Sequence, residues 1–188
     1  MDDPSEAIQL AETLLSATLP QRWRHTLGVV KRARIAARIL APGDGNILVC
    51  AAALHDIGYS PLVKETGFHA LDGAVYLRNL EVDNRLCGLV AHHSCAYREA
   101  ELRGLSANLA EWMDEGTEVR DALWWSDMTT TPSGQVTSVL DRIDEIEKRY
   151  GPEDVVTFFV RQAKRELVDA VQRTEERLGA AGVTYTAK

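Results

Sequence analysis

The stretch Ala52-Ala53-Leu54-His55-Asp56-Ile57-Gly58-Tyr59 closes the longest apolar run of the chain, residues 47–54, with an imidazole and a carboxylate side by side. Burying a polar or charged side chain costs several kcal/mol unless another group pairs with it. The pair His55-Asp56 must therefore lie either at an exposed helix end or beside a buried partner that offsets this cost. The run itself is far shorter than the roughly 20 residues that a helix needs to span a bilayer.

The overall composition fits one globular domain. The chain has 188 residues, 45% of them hydrophobic, and we expect a single domain over residues 1–188. Its formal net charge of -7 and its pI near 5.3 lack the basic character that nucleic-acid binding usually requires. A small anionic substrate stays compatible with this charge, because local basic groups can outweigh the global balance.

The cysteines and the N-terminus bear on the compartment. Cys50, Cys87 and Cys95 are odd in number and lack the CxxC spacing of metal sites, which favours a reducing environment. The opening MDDPSEAIQLAE is acidic and lacks the basic and apolar regions of a signal peptide. We therefore expect a cytoplasmic protein with no membrane segment, and the oligomeric state stays open.

Helical periodicity runs through almost the whole chain. The pattern predicts an all-α fold, a compact multi-helix bundle with a long C-terminal helix. A motif-bearing core would cover about 20–130 and a helical extension about 136–180. Residues 41–46 are predicted as a turn and residues 96–104 as a short surface excursion. Helices are predicted over 5–18, 20–40, 47–57, 68–80, 82–94, 117–130 and 136–149, and from Pro152 onward.

The five histidines lie within predicted helices or at their edges, among small and apolar neighbours. Any one of them could satisfy its ring nitrogens with backbone groups or solvent. Together, on four helices, they indicate a metal site between helices. Neutral imidazole and carboxylate are ligands that borderline first-row divalent metals prefer. The histidines are His25, His55, His69, His92 and His93.

A further carboxylate is expected downstream, in the stretch DALWWSDMTT at 121–130. Asp127 has strongly apolar neighbours in this stretch, although it could instead cap the loop that follows. Asp121 is the rival candidate, but it lies nearer an acidic segment that we expect to be exposed. We therefore predict that Asp127 joins the site.

The ordered set of these residues resembles the H…HD…H…H…D signature of the HD-domain superfamily of metal-dependent phosphohydrolases. The stretches AALHDIG, FHALDGAVYLR and VAHHS resemble elements of its two-metal branch, and together they cover roughly residues 20–130. The lysine that often follows the motif, as in HDIGK, is Tyr59 here. The resemblance implies one metal held by His25, His55, Asp56 and Asp127, and a second held by Asp56, His69 and His92. His93 is a further candidate ligand, or a residue that orients a neighbour or contacts substrate.

The same resemblance implies hydrolysis of a phosphoester, in a nucleotide or another small phosphorylated metabolite, by metal-activated water. One or two divalent ions of Fe, Mn, Zn, Co or Ni would be the cofactor, and Asp56 would hold the metal pair and orient the nucleophile. Lys64 and Arg98 are candidates for phosphate binding, or else ordinary surface charges. Two alternatives stay open: a di-iron oxygenase on the same fold, and a non-catalytic nucleotide-binding or sensing domain.

Overall fold

The computed structural model describes residues 1–185, so the last three residues of the predicted domain, 186–188, lie outside the described residues. Within 1–185 it contains ten α-helices and no β-strand, which confirms the all-α prediction and its long C-terminal helix. The helices are α1 (Pro4–Leu15), α2 (Pro20–Ala36), α3 (Pro42–Leu54), α4 (His69–Asn79), α5 (Asn84–Ala91), α6 (Ala96–Arg103), α7 (Ser106–Leu109), α8 (Glu118–Met128), α9 (Val139–Tyr150) and α10 (Val155–Ala180).

Helix α3 forms the centre of the bundle. Every residue from Leu48 to Leu54 is buried, so the helix is apolar on all sides and packs against α1, α2, α5 and α8. A helix that is hydrophobic all round can only be stable inside a core. His55 caps its C-terminus, and Asp56 follows at once. His55 and Asp56 therefore lie in the middle of the protein. The sequence allowed either an exposed helix end or a buried position for this pair, and the structure shows the buried one.

Several predicted boundaries differ from the structure, and three of these differences bear on the packing around the centre. Helix α3 begins at Pro42, inside the predicted turn, because a proline fits the first helical position, where its missing N–H is not needed. Residues 96–103 form helix α6 rather than a surface excursion, and one side of it, including Glu99 and Ala100, is buried. Helix α10 begins at Val155, because the Asp154 carboxylate accepts a hydrogen bond from the Val156 amide and caps it there.

Two glycines allow the backbone contacts that assemble the centre. A Cβ on Gly58 would lie 1.9 Å from the carbonyl oxygen of His69, so the short 3-10 turn of residues 57–59 touches the start of α4 directly. A Cβ on Gly28 would lie 2.7 Å from backbone atoms of Gly134. The contact at Gly58 brings His69 beside His55-Asp56. The contact at Gly28 places the loop after α8 directly against α2.

Helix α10 covers one side of the bundle and packs against α6, α8 and α9. Its apolar face is buried, and the 4%-exposed carboxylate of Asp121 on α8 accepts hydrogen bonds from Arg173 and Arg177 on α10. Helix α10 thereby covers the side of α8 that carries Asp121. No helix within residues 1–185 combines the length and the apolar composition needed to cross a membrane.

Candidate metal centre

Three histidines at the centre of the bundle are oriented by the backbone. In each ring Nδ1–H donates to a main-chain carbonyl, and because a carbonyl can only accept, this hydrogen bond assigns the tautomer. The lone pair of Nε2 is then left facing the interior. Metal-binding histidines are usually oriented by such an outer hydrogen bond. The pairs are His25 with Thr131 (3.0 Å), His55 with Ala52 (2.9 Å) and His93 with Val90 (2.7 Å).

A first group of ligand atoms gathers around one carboxylate oxygen. Oδ2 of Asp56 lies 3.2 Å from Nε2 of His55 and 3.8 Å from Nε2 of His25. Oδ1 of Asp127 lies 3.0 Å from Nε2 of His25 and 4.0 Å from Nε2 of His55. Helices α2 and α8 and the end of α3 thus contribute two imidazoles and two carboxylates to one place.

A second group uses the other oxygen of the same carboxylate. Oδ1 of Asp56 lies 3.6 Å from Nε2 of His69, and the Nε2 atoms of His69 and His93 lie 3.1 Å apart. Ligand atoms of His25, His55 and Asp56 all lie within 4.8 Å of one another, and so do those of Asp56, His69 and His93. The two groups therefore overlap at Asp56.

This arrangement fits divalent metal ions. Nε2 of His55 is buried and has no hydrogen-bond partner within residues 1–185, although Asp56 lies next to it. A lone pair facing a carboxylate at this distance is unfavourable unless a proton or a cation lies between them. Mixed imidazole and carboxylate donors are the ligands that Zn, Fe, Mn, Co and Ni accept. The residues present thus fit one or two such ions.

The protonation states of three of the four histidines agree with this role. Burial lowers the pKa of His25, His69 and His93, which favours the neutral form whose lone pair can bind a metal. Burial also opposes the charged form of His55, but the neighbouring Asp56 and Asp127 outweigh it and raise the pKa of that ring. The carboxyl pKa of Asp56 is held well below its usual value, because Arg22 and His55 outweigh the effect of burial.

One predicted ligand lies elsewhere. His92 points away from the cluster, and its Nε2 hydrogen-bonds the carbonyl of Trp112 at 2.9 Å. His93, the secondary candidate, occupies the second group instead. Helix α5 ends at Ala91 rather than at 94, so the two neighbouring side chains leave the chain in different directions. The other predicted ligands, His25, His55, Asp56, His69 and Asp127, do come together.

The two predicted phosphate-binding residues do not border the central cavity. Lys64 is exposed in the loop after the His-Asp pair, and Arg98 forms an ion pair with Glu166 at 2.8 Å. Three other arginines, Arg22, Arg142 and Arg149, line the cavity that opens above the cluster. Arg22 stands three residues before His25 and so on the same side of α2, a spacing from which it could have been predicted.

The cavity has a volume of about 70 Å³ and is open to solvent on one side. At its base the guanidinium of Arg22 lies 2.8 Å from Asp56 and 4.0 Å from the centre of the Tyr59 ring. The other face of Tyr59 stacks on His69, with ring centres 4.1 Å apart. Tyr59, which stands where the motif often has lysine, thus holds both an arginine and a histidine in place.

An all-α bundle with two overlapping groups of His and Asp residues is typical of the metal-binding helical proteins. The family model for the HD domain matches residues 22–146, a range that includes every residue of both groups. The chain therefore belongs to the HD domain family, most of whose members are metal-dependent hydrolases. No match was found among curated proteins or among solved structures.

Proposed function

We propose that the protein is a metal-dependent phosphohydrolase that cleaves the phosphoester of a nucleotide or another small phosphorylated metabolite. The observation that carries this proposal is the sharing of Asp56 by two ligand groups at the base of an arginine-lined cavity. One ion would be held by His25, His55, Asp56 and Asp127, and another by Asp56, His69 and His93.

Divalent ions bound there would lower the pKa of a coordinated water and neutralise negative charge on a phosphoryl group. The residues of this chain would orient the metal ligands and keep bulk water away from them. Asp56 and Asp127 are buried and ionised, and the backbone carbonyls fix the imidazoles, so the ligand set needs little reorganisation. Arg22 borders the cavity with a guanidinium suited to phosphoryl oxygens.

The decisive experiment combines metal analysis with a phosphate-release screen. The purified protein is analysed for bound metal and then assayed on phosphorylated metabolites with Mn, Fe, Co, Ni or Zn added. We expect metal-dependent phosphate release, and D56N should lose both bound metal and turnover while its helical circular dichroism is retained. D141N, which changes an exposed carboxylate at the start of α9, is the matched control and should keep both.

Two other outcomes would replace this proposal. The mixed His/Asp donor set also suits iron, so oxygen consumption with an organic substrate and without phosphate release would point to a di-iron oxygenase. Tight nucleotide binding without turnover, whichever metal is supplied, would point to a sensing domain. Full activity of D56N would show that Asp56 has no role in the reaction, and the proposed mechanism would then be wrong.

A further inference from the structure

The cavity has an outer half that comes from the last two long helices. Its lining there includes Arg142 and Ile146 of α9, Arg149 and Tyr150 at the end of that helix, and Phe159 of α10. The match to the HD domain ends at residue 146, so most of this wall lies beyond it. Arg142 and Ile146 lie inside the matched range, whereas Arg149, Tyr150 and Phe159 lie beyond it.

Arg142 is a buried cation on this wall. It is 5% exposed, its Nη1 is ion-paired with Glu145, and its Nε–H has no hydrogen-bond partner within the described residues. A buried charged donor left without an acceptor is costly. Arg142 borders the same cavity as Asp56 and Asp127, so it lies close to the cluster. An anion entering the cavity would supply the missing acceptor.

The remainder of the outer half is mainly apolar. Ile146, Val156 and Phe159 border the cavity together with Met128 of α8. Phe159 is partly buried against the core, whereas its neighbour Phe158 is 44% exposed. Glu99, Arg149 and the Tyr150 ring also border the cavity, but Glu99 is already paired with Arg103 at 2.6 Å and Arg149 with Glu145 at 3.0 Å. An organic group held here would therefore meet hydrocarbon more than free hydrogen-bonding partners.

We propose that this half of the cavity is the substrate subsite, and that it selects a phosphate monoester with a compact apolar organic group. Arg142 binds a phosphoryl oxygen, and Phe159 packs against the organic group. This inference rests on the phosphohydrolase function proposed above and names its substrate class. A site that offers hydrocarbon discriminates against hydroxyl-bearing analogues, because their polar groups lose water without gaining partners.

The test compares n-propyl phosphate with glycerol 3-phosphate, which have the same carbon skeleton but differ by two hydroxyl groups. We expect kcat/KM of the metal-loaded protein to favour propyl phosphate by about tenfold or more. F159A should reduce this preference about tenfold, while the matched variant F158A leaves it unchanged. Either of two results would overturn the apolar half of the subsite. In the first, F159A keeps the full preference for propyl phosphate; in the second, the unaltered chain prefers glycerol 3-phosphate.

Arg142 is tested by binding as well as by turnover. R142Q should weaken the binding of inorganic phosphate to the metal-loaded protein, measured by calorimetry, about 10- to 100-fold, and R142K should recover part of it. Both variants should raise KM for the two esters alike. Phosphate binding unchanged in R142Q would overturn the role of Arg142. If no ester is hydrolysed, the proposed phosphohydrolase function is wrong. Calorimetry of propyl phosphate with F159A and F158A then still tests whether Phe159 forms part of the subsite.

Discussion

The guanidinium of Arg22 lies 2.8 Å from Oδ2 of Asp56, the carboxylate that both ligand groups share. Arg22 is thus the cation that compensates Asp56 in the metal-free chain, and it also helps to hold the pKa of that carboxyl low. Asp56 is almost completely buried, so the loss of this partner would leave an uncompensated charge inside the protein. Arg22 and a metal ion are therefore alternative partners for the same oxygen.

The first prediction concerns this pair. R22Q should lower the free energy of unfolding of the metal-free protein by about 3 kcal/mol, because breaking a buried ion pair leaves one charge unpaired. Added Mn²⁺ should stabilise R22Q more than it stabilises the unaltered chain. Urea unfolding in chelator and in Mn²⁺ measures both effects. R24Q, an exposed position on the same helix, is the control, and equal losses in the two variants would contradict the interpretation.

The second prediction separates the two neighbouring histidines. H93A should remove a ligand of the second group and reduce the bound metal or its affinity. H92A should leave metal binding in place, but lower stability by about 1–2 kcal/mol through loss of the hydrogen bond to the Trp112 carbonyl. Metal analysis and thermal unfolding distinguish the two effects. A loss of metal in H92A with none in H93A would reverse the assignment.

The third prediction uses backbone strain beside the cluster. Ser94 (φ 48°, ψ 46°) and Cys95 (φ 61°, ψ 30°) are successive left-handed residues, and the Ser94 hydroxyl donates to Oδ2 of Asp127 at 2.5 Å. S94A should weaken metal binding about 10- to 100-fold, as the loss of a hydrogen bond to a ligand does. S94G should weaken it equally, yet leave the metal-free protein about 1 kcal/mol more stable than S94A, because glycine adopts this conformation freely.

Competition with a chelating indicator and urea unfolding without metal supply the two measurements. E81G is the control, since Glu81 is exposed, has φ 57° and lies outside the site. It should gain stability without any change in metal affinity. Metal affinity preserved in both Ser94 variants would show that the hydroxyl does not orient Asp127.

The fourth prediction is a pH dependence at the contact between α8 and α10. Burial opposes ionisation of Asp121, but hydrogen bonds from Arg173 and Arg177 outweigh it and lower the carboxyl pKa below its ordinary value of 3.8. The unfolded chain then binds this proton at a higher pH than the folded chain does. The stabilisation is therefore complete above about pH 5 and is lost as the pH falls through the folded pKa.

D121N should accordingly lower the free energy of unfolding by about 1–2 kcal/mol at neutral pH. This difference from the unaltered chain should shrink below about pH 4, as measured by urea unfolding across the acid range. D169N, a half-exposed carboxylate on α10 that faces Arg165 at 3.8 Å, should have little effect at any pH. A D121N difference that stays constant down to about pH 2 would show that the carboxylate does not act through its charge.

The sequence predicted most of the residues that meet at this candidate centre, because they follow a recognisable order along the helices. It did not separate His93 from His92, since neighbouring residues on a helix point about 100° apart and the choice depends on where the helix ends. Arg142 and the buried side of α6 were missed for a different reason. Their segments read as solvated charged faces, and the packing of α10 that buries them is a tertiary contact without a local signal. The sequence likewise placed Asp121 near an exposed acidic segment, although Arg173 and Arg177 of α10 cover its carboxylate.

The two ligand groups draw on five separate parts of the chain, from α2 at residue 25 to α8 at residue 127, so no short segment can assemble them. An ion that binds there binds the native state and not the unfolded one, and mass action then adds its binding free energy to folding. The quantity of native protein in a cell should thus follow the supply of its metal. Starvation for that metal would lower the stability of the native chain and leave it more open to proteolysis.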